Sequence, residues 1–325
     1  MYNTLTELIF SSIITTLSEL VAVGCALLYF RKVRQERPAV GVFNGRDVAV
    51  LLFFIAVVPL IFLVLPDIAL VVVLVLIFAG GMYLGLRRIM RPLYFLGIAA
   101  LLIGSDIWVT YHYLGTRLGW QVYWAINSII ILLVAVSVSN LYVQGGMRLR
   151  HVAWFSFVLA FYDAFFIFVI PLTQRLADRF IGRPLDAAMG FTMGVYNANI
   201  GLGDLLVFCC FAIAAYKGFG KRGAITAFLI VAIFGGILPS LVPLVVGQVV
   251  RGTENITVPA QMIFGPAALV TYLLLARRTK ERSMKEWLAL EAAEGRVTAP
   301  GSRIVRRVAE QPALADVQRS VQGSD

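Results

Sequence analysis

The sequence predicts an all-α membrane protein in which nine helices span the bilayer and a polar tail follows the last of them. Of the 325 residues, 60% are hydrophobic and 14% are charged, which is too little charge for a water-soluble domain of this length. The hydrophobic residues form long runs, with most charged residues between those runs or near the C-terminal end. A spanning helix needs roughly 20 apolar residues, because the hydrocarbon core is about 30 Å thick and each helical residue rises about 1.5 Å.

Nine runs in the chain have this length. They cover residues 6–30, 47–65, 67–86, 92–114, 119–143, 152–172, 190–216, 223–250 and 257–276. Pro66 and Asp67 must form a tight turn between the second and third spans. No Lys or Arg precedes the first run, so we expect a retained span rather than a cleaved signal peptide. Cys25, Cys209 and Cys210 fall within predicted spans, which favours a packing role over disulfide bonding.

Basic residues are concentrated in alternate connections and at the start of the tail. The connections after spans one, three, five and seven and the first tail residues contain Arg31, Lys32, Arg34, Arg37, Arg46, Arg87, Arg88, Arg91, Arg148, Arg150, Lys217, Lys221, Arg222, Arg277, Arg278, Lys280 and Arg282. The opposite connections contain Arg117, Arg175, Arg179, Arg183 and Arg251. The positive-inside rule therefore predicts an outside N-terminus and a cytoplasmic C-terminus, and we expect a prokaryotic cell membrane. Basic clusters scattered over short loops favour contact with anionic membrane lipids over nucleic-acid binding.

From residue 277 the chain becomes polar. Ser283 and Glu286 have the spacing of a capping box, which predicts a short amphipathic helix in "SMKEWLALEAAEGR". The stretch "TAPGS" ends that helix, and we expect the remainder to be loosely ordered. No Cys/His group has metal-ligand spacing and no Walker loop occurs, so the sequence predicts neither a metal nor an organic cofactor.

Two acidic residues, Asp163 and Asp204, interrupt the sixth and seventh predicted spans. An acid within a span costs roughly 2.5–3.5 kcal/mol, and none of the nine spans contains a Lys or Arg that could neutralise it. Two carboxyl groups held close together cannot both ionise readily, so they share a proton. In such a pair the ionised member takes a proton from water, and the protonated member donates a hydrogen bond to a carbonyl. This is the chemistry of aspartic proteases.

The surroundings of Asp204 suggest access to its carboxyl. Asn197, Gly201, Asp204 and Phe208 have helical spacing and would share one face of the seventh span. Gly201 and Gly203 remove bulk beside the acid, which permits either the approach of an extended substrate or close helix packing alone. We also expect the connection at residues 173–189 to contain a strand that aligns substrate.

"YD" in one span followed by "GLGD" in the next resembles the presenilin and signal peptide peptidase family of GxGD intramembrane aspartyl proteases. Tyr162 and Asp163 match the first motif, and the second motif is matched by Gly201, Leu202, Gly203 and Asp204. The resemblance implies nine spans with the catalytic acids on spans six and seven. It also implies substrates that are transmembrane helices or signal peptides, which must unwind before cleavage.

The third motif of that family is Pro-Ala-Leu at the start of span nine, and this chain departs from it. The literal match at residues 312–314 lies in the polar tail, so we regard it as coincidental. At the expected place the chain has Pro259, Ala260 and Gln261, with glutamine in place of leucine. The resemblance implies that these residues support the site and the bound substrate. The predicted orientation is similar to that of signal peptide peptidase, which favours substrates with a cytoplasmic N-terminus.

These patterns divide the chain into scaffold and substrate-access helices (1–146), catalytic helices (147–276) and a cytoplasmic tail (277–325). One alternative is a proton-coupled transporter, in which Glu19 and Asp106 would extend a relay of embedded acids. We favour simple hydrogen-bonding or interfacial roles for those two residues. A type IV prepilin peptidase also has a GxGD motif, but there a basic residue usually follows, whereas Leu205 follows Asp204 here. A third alternative is a protease relative that has lost its activity.

Overall fold

The computed structural model describes residues 2–34, 43–168, 175–176, 179–193, 196–242 and 259–293. Helices dominate this part of the chain. In order, the elements are α1 (Tyr2–Lys32), α2 (Gly45–Val64), α3 (Asp67–Leu86), α4 (Pro92–Tyr113), α5 (Arg117–Gln144), α6 (Leu149–Phe168), β1 (Ala188–Met193), β2 (Tyr196–Gly201), α7 (Leu202–Ile230), a π-helical segment (Val231–Ile237), α8 (Ala260–Arg278) and α9 (Met284–Ala293).

Helix ends follow local sequence signals. At the start of α2 the Asn44 side chain accepts a 2.8 Å hydrogen bond from the Arg46 N–H, and the Asp47 carboxyl accepts one of 2.7 Å from the Asn44 N–H. The predicted tight turn between α2 and α3 is confirmed, with only Leu65 and Pro66 between the two helices. The predicted tail helix is also present as α9. Its capping box is formed, because the Glu286 carboxyl accepts a 2.5 Å hydrogen bond from the Ser283 N–H.

Seven helices in the described part of the chain are long and apolar enough to cross a membrane. They are Ser12–Lys32, Gly45–Val64, Asp67–Leu86, Pro92–Tyr113, Arg117–Gln144, Leu202–Val242 and Ala260–Arg278. Large apolar side chains face outward on several of them, including Ile68 and Leu93, as expected where lipid is the solvent. A multi-pass membrane protein is therefore the class that the helices indicate.

The longest of these candidates, Leu202–Val242, folds back on itself. Gly220 has φ 72° and ψ −152°, a backbone conformation that is essentially restricted to glycine. A Cβ placed on Gly235 would lie 2.9 Å from Cζ of Phe208. In a straight helix these two residues would be about 40 Å apart. The segment therefore consists of two antiparallel helical rods joined near Gly220.

The core lies around α5, which packs against α1, α3, α4 and α7. Fully buried aromatic and aliphatic side chains such as Phe78, Ile131 and Phe211 fill the space between these helices. Lys217 of α7 is also buried, and its ammonium group donates to the carbonyl oxygens of Val143 (3.2 Å) and Met147 at the C-terminal end of α5. Cations are favoured at that end of a helix. In contrast, α2 has no fully buried residue.

The start of the seventh predicted span is not helical, which corrects the sequence-based assignment. Ala188–Met193 and Tyr196–Gly201 form the two antiparallel strands of a hairpin, in which Ala188 pairs with Gly201 and Met193 pairs with Tyr196. Asn197 and Gly201 therefore lie on a strand, and they do not share a helical face with Asp204. A strand does precede α7 as expected, although it begins at Ala188 near the end of the predicted connection. Hydrophobicity alone does not distinguish a short buried strand from a helix.

Side chains of α5 bind the outer edge of β1. The Asn127 amide donates to the carbonyl oxygens of Asp186 (3.0 Å) and Ala188 (2.7 Å). The Ser128 hydroxyl donates to the Gly190 carbonyl oxygen (3.0 Å) and lies 3.2 Å from the Gly190 N–H, which donates back to it. Backbone polar groups at membrane depth need such partners, because lipid provides none. The hairpin is thus fixed to the rigid centre of the helix bundle.

Several sequence-based predictions fall on residues that the structure does not describe. These are the end of the sixth predicted span (169–172), the end of the eighth (243–250), the start of the ninth (257–258), the literal Pro-Ala-Leu at 312–314 and the tail beyond 293.

Candidate active site

Asp163 and Asp204 come from two helices that pack against each other. Asp163 lies near the C-terminal end of α6, and Asp204 lies in the first turn of α7. Both side chains are only partly exposed, and they are close enough for the charge of Asp204 to act on Asp163. Among the described residues, no Lys, Arg or His contributes to the electrostatics of either carboxyl. The two acids therefore lie within electrostatic reach of each other, with no neutralising cation among the described residues.

The hairpin determines where Asp204 lies on α7. The Leu202 N–H donates a 2.8 Å hydrogen bond to the Ala187 carbonyl oxygen, and Gly201 is the N-terminal cap of the helix, without a side-chain cap. Asp204 is therefore at a helix start, where unpaired N–H groups and the helix dipole favour a negative charge. This differs from the expectation of an acid in mid-span, because residues 190–193 and 196–201 of that predicted span belong to the two strands.

The two motif glycines have different surroundings. A Cβ on Gly201 would lie 3.6 Å from Oδ2 of Asp204, so Gly201 is directly beside the carboxyl. Gly203 is exposed, and within the described part of the chain no heavy atom outside its own helical turn and chain neighbours lies within 4 Å of its Cβ position. Leu202, between them, is half-buried. Among the described residues, none therefore packs against α7 at Gly203.

The start of α8 completes this cluster. Pro259 caps the helix, Ala260 is its first residue, and the buried side chain of Gln261 lies beside the Asp204 carboxyl. The Gln261 amide nitrogen and oxygen have no hydrogen-bond partner of good geometry among the described residues. The Phe264 ring packs against Phe208 at 4.5 Å between centroids, which fixes α8 to α7. Of the three residues Pro259, Ala260 and Gln261, it is Gln261 that lies beside one of the two acids.

Tyr162 connects the neighbourhood of the pair to a peripheral helix. Its hydroxyl donates a 3.0 Å hydrogen bond to the Ile55 carbonyl oxygen of α2, and its ring packs against Phe166 at 4.4 Å. The Tyr162 hydroxyl thus anchors α2, which otherwise buries none of its residues completely.

One acidic neighbour of the pair was not among the predicted site residues. Glu19 of α1 is fully buried, and its environment includes the charge of Asp204. The sequence signal was present, because Glu19 interrupts the first apolar run, but a single acid in the first span does not indicate which helix it faces. Asp106, the other embedded acid, has a different role. It accepts a 2.7 Å hydrogen bond from the N–H of Leu185, which has the unusual φ of 61°.

No protein-family model matches this chain, and a comparison with curated protein sequences finds no match. The likeness to the GxGD proteases therefore consists of the motif residues described above.

Proposed function

We propose that this protein is an intramembrane aspartyl protease that hydrolyses peptide bonds within transmembrane segments or signal peptides. The observation that carries the proposal is that Asp163 and Asp204, on two packed helices, interact electrostatically while no cation among the described residues acts on either. A site of this kind requires one proton for two carboxyl groups. The order of the motifs along the chain and the position of Gln261 beside Asp204 give further support.

The mechanism that we propose uses the pair alone. The ionised carboxyl removes a proton from a water molecule held between the two acids, and that water attacks the peptide carbonyl carbon. The protonated carboxyl donates a hydrogen bond to the carbonyl oxygen and stabilises the tetrahedral intermediate. The proton then passes to the leaving nitrogen as the C–N bond breaks, so no metal or organic cofactor takes part. Which carboxyl holds the proton at rest depends on the whole coupled pair.

The hairpin offers a way to hold the substrate. A helix conceals its peptide carbonyls in its own hydrogen bonds, so a substrate helix must unwind before hydrolysis. The strand β2 ends at Gly201, three residues before Asp204. A substrate segment that pairs with this strand would be held extended beside the carboxyl. The lack of packing at Gly203 among the described residues leaves room for such a segment.

We infer that the fold crosses the membrane nine times. The two rods of Leu202–Val242 would each form a crossing, since the segment folds back at Gly220. Helix α6, with 20 residues and a mostly apolar sequence, would add one more to the other candidates. Together with the loop charges, a count of nine supports an outside N-terminus and a cytoplasmic C-terminus. Substrates would then have a cytoplasmic N-terminus.

The decisive experiment uses the purified full-length protein in lipid vesicles with a single-span reporter. We expect cleavage by the parent protein, and a loss of about 10²–10⁴-fold in rate for both Asp163→Asn and Asp204→Asn. The matched control is Asp106→Asn, which changes a buried acid outside the pair and keeps an oxygen that can accept the Leu185 N–H. The control should cleave at a rate near that of the parent. Equal cleavage by the parent and both single variants would refute the proposal.

A proton-coupled transporter is the second candidate, because Glu19 lies within electrostatic reach of Asp204 and could extend a chain of acids. The same vesicles distinguish the two functions. Proton-driven uptake of a solute without reporter cleavage would favour the transporter.

A further inference from the structure

A third carboxyl group lies against the candidate pair, on a helix that none of the motifs includes. Glu19 is in the middle of α1 and is fully buried. Neither of its carboxyl oxygens has a hydrogen-bond partner among the described residues. The charge that acts on it comes from Asp204. A buried polar group without a partner costs roughly 1–3 kcal/mol, so this position requires an explanation.

The π-helical segment packs against α1 and leaves space there for the side chains of Thr16 and Glu19. Oε2 of Glu19 lies 2.9 Å from the position that a Cβ would take on Gly235, in the π-helical segment. Cζ of Phe208, one helical turn after Asp204, lies 2.9 Å from the same position, so Glu19 is on the side of α1 that packs near the start of α7. The backbone of Thr16 approaches Gly236 in the same way, with its Cα 2.9 Å from that glycine's Cβ position. Any side chain on these glycines would push α1 away. Segments with π-helical geometry are rare and occur often at functional sites.

The titratable groups around α1 leave Glu19 without a cation. Its neighbours are α5, α7, the π-helical segment and the hairpin. Asp204 of α7 is the titratable group of these elements that acts on it. The Lys217 ammonium of α7 is bound to carbonyl oxygens at the end of α5. The described π-helical and hairpin residues include no Lys, Arg or His. A carboxyl in such surroundings is most stable in its neutral, protonated form.

We propose that Glu19 is a positioning residue of this site, whose carboxyl lies near Asp204 and extends the pH range over which the Asp163–Asp204 pair keeps its shared proton. This inference rests on the proposed protease function, in which the pair works with one shared proton. When Glu19 ionises at higher pH, its negative charge makes the shared proton harder to remove from the pair. The working state of the pair therefore persists to higher pH than two carboxyl groups alone would allow.

The first test is the rate of reporter cleavage as a function of pH. Glu19→Gln keeps the size and polarity of the side chain but never ionises, so we expect the alkaline limb of the profile to move to lower pH by about one unit. The matched control is Thr16→Val, which changes the same helix contact without affecting a titratable group. It should keep the parent profile. If the Glu19→Gln profile coincides with that of the parent, the proposal is wrong.

The second test does not depend on proteolysis. Infrared spectra of the reconstituted full-length protein report protonated carboxylic acids as a carbonyl band above the amide I band. We expect Glu19→Gln to remove one such band at neutral pH, and Asp204→Asn to shift it, because the neighbour of Glu19 changes. If Asp204→Asn shifts the band but the parent does not cleave the reporter, the contact between Glu19 and Asp204 is supported and the proposed protease function is refuted. The absence of the band, or a band that Asp204→Asn leaves unchanged, would overturn the contact itself.

Discussion

At the scale of single residues, the buried acids of this protein differ in their hydrogen-bond and electrostatic partners more clearly than in their burial. Asp106 accepts a backbone hydrogen bond from Leu185, which supports the sequence-based preference for a hydrogen-bonding role. Glu19 is equally buried and has no hydrogen-bond partner among the described residues, so the same preference does not extend to it. Asp163 and Asp204 face each other electrostatically. The motifs predicted this pair, whereas the orientation of Glu19 depends on helix packing and could not be predicted.

At the same scale, one buried acid should make the stability of the fold depend on pH. Asp186, in the loop before β1, is 3% exposed, and burial, followed by the nearby charge of Asp106, raises its pKa to about 7. Because the folded-state pKa lies above the unfolded one, its contribution to stability is complete below about pH 4 and is lost as the pH rises through about 7. Thermal unfolding in detergent should therefore show a falling melting temperature over that range. Asp186→Asn, which resembles the protonated acid, should flatten the decline. An unchanged decline in this variant would contradict the assignment to Asp186.

At the scale of elements, hydrophobicity placed most helices within a few residues of their observed bounds. The runs predicted at 47–65, 67–86 and 92–114 correspond to α2, α3 and α4. The hairpin at 188–201 was missed, since its strands bury apolar residues as a helix would and their edge is satisfied by Asn127 and Ser128 of a distant helix. Such long-range hydrogen bonds leave no local pattern in the sequence. Because β2 ends at Gly201, Asp204 lies in the first turn of α7 and not in the middle of a span as predicted.

The chain reversal within Leu202–Val242 should depend on a glycine at position 220. Gly220→Ala would place a Cβ in a backbone conformation that side chains rarely adopt, 2.9 Å from Nη2 of Arg282. We expect a loss of about 1–3 kcal/mol in unfolding free energy, measured by denaturation in mixed micelles. Gly80→Ala in α3 is the matched control, since no heavy atom outside its own helical turn lies within 4 Å of that Cβ position. The control should be neutral or slightly stabilising. Equal stability of the two variants would argue against a strained turn at Gly220.

At the scale of the whole molecule, loop charge predicts an orientation that the packing of helices does not determine. Arg46 is the second residue of α2 and Arg117 is the first of α5, and both are exposed. The positive-inside rule places the first in the cytoplasm and the second outside. In intact cells, a membrane-impermeant maleimide should therefore label Arg117→Cys but not Arg46→Cys. The parent is a suitable blank, because Cys209 and Cys210 are buried and Cys25 is partly so. Labelling of Arg46→Cys alone would reverse the orientation and the preferred direction of substrates.

The hairpin has a consequence for where a bound chain would be cut. The outward peptide groups of β1 at Ala188 and Gly190 are occupied by α5, so β1 has no edge at which to accept a further strand there. In an antiparallel ladder, outward peptide groups recur at every second residue. The Leu202 N–H donates inward, to Ala187, so the outward peptide groups of β2 are those of residues 197, 199 and 201. A guest peptide joined at 199 and 201 would extend the ladder towards the start of α7, so the spacing of the ladder would help to determine which peptide bond lies near Asp204.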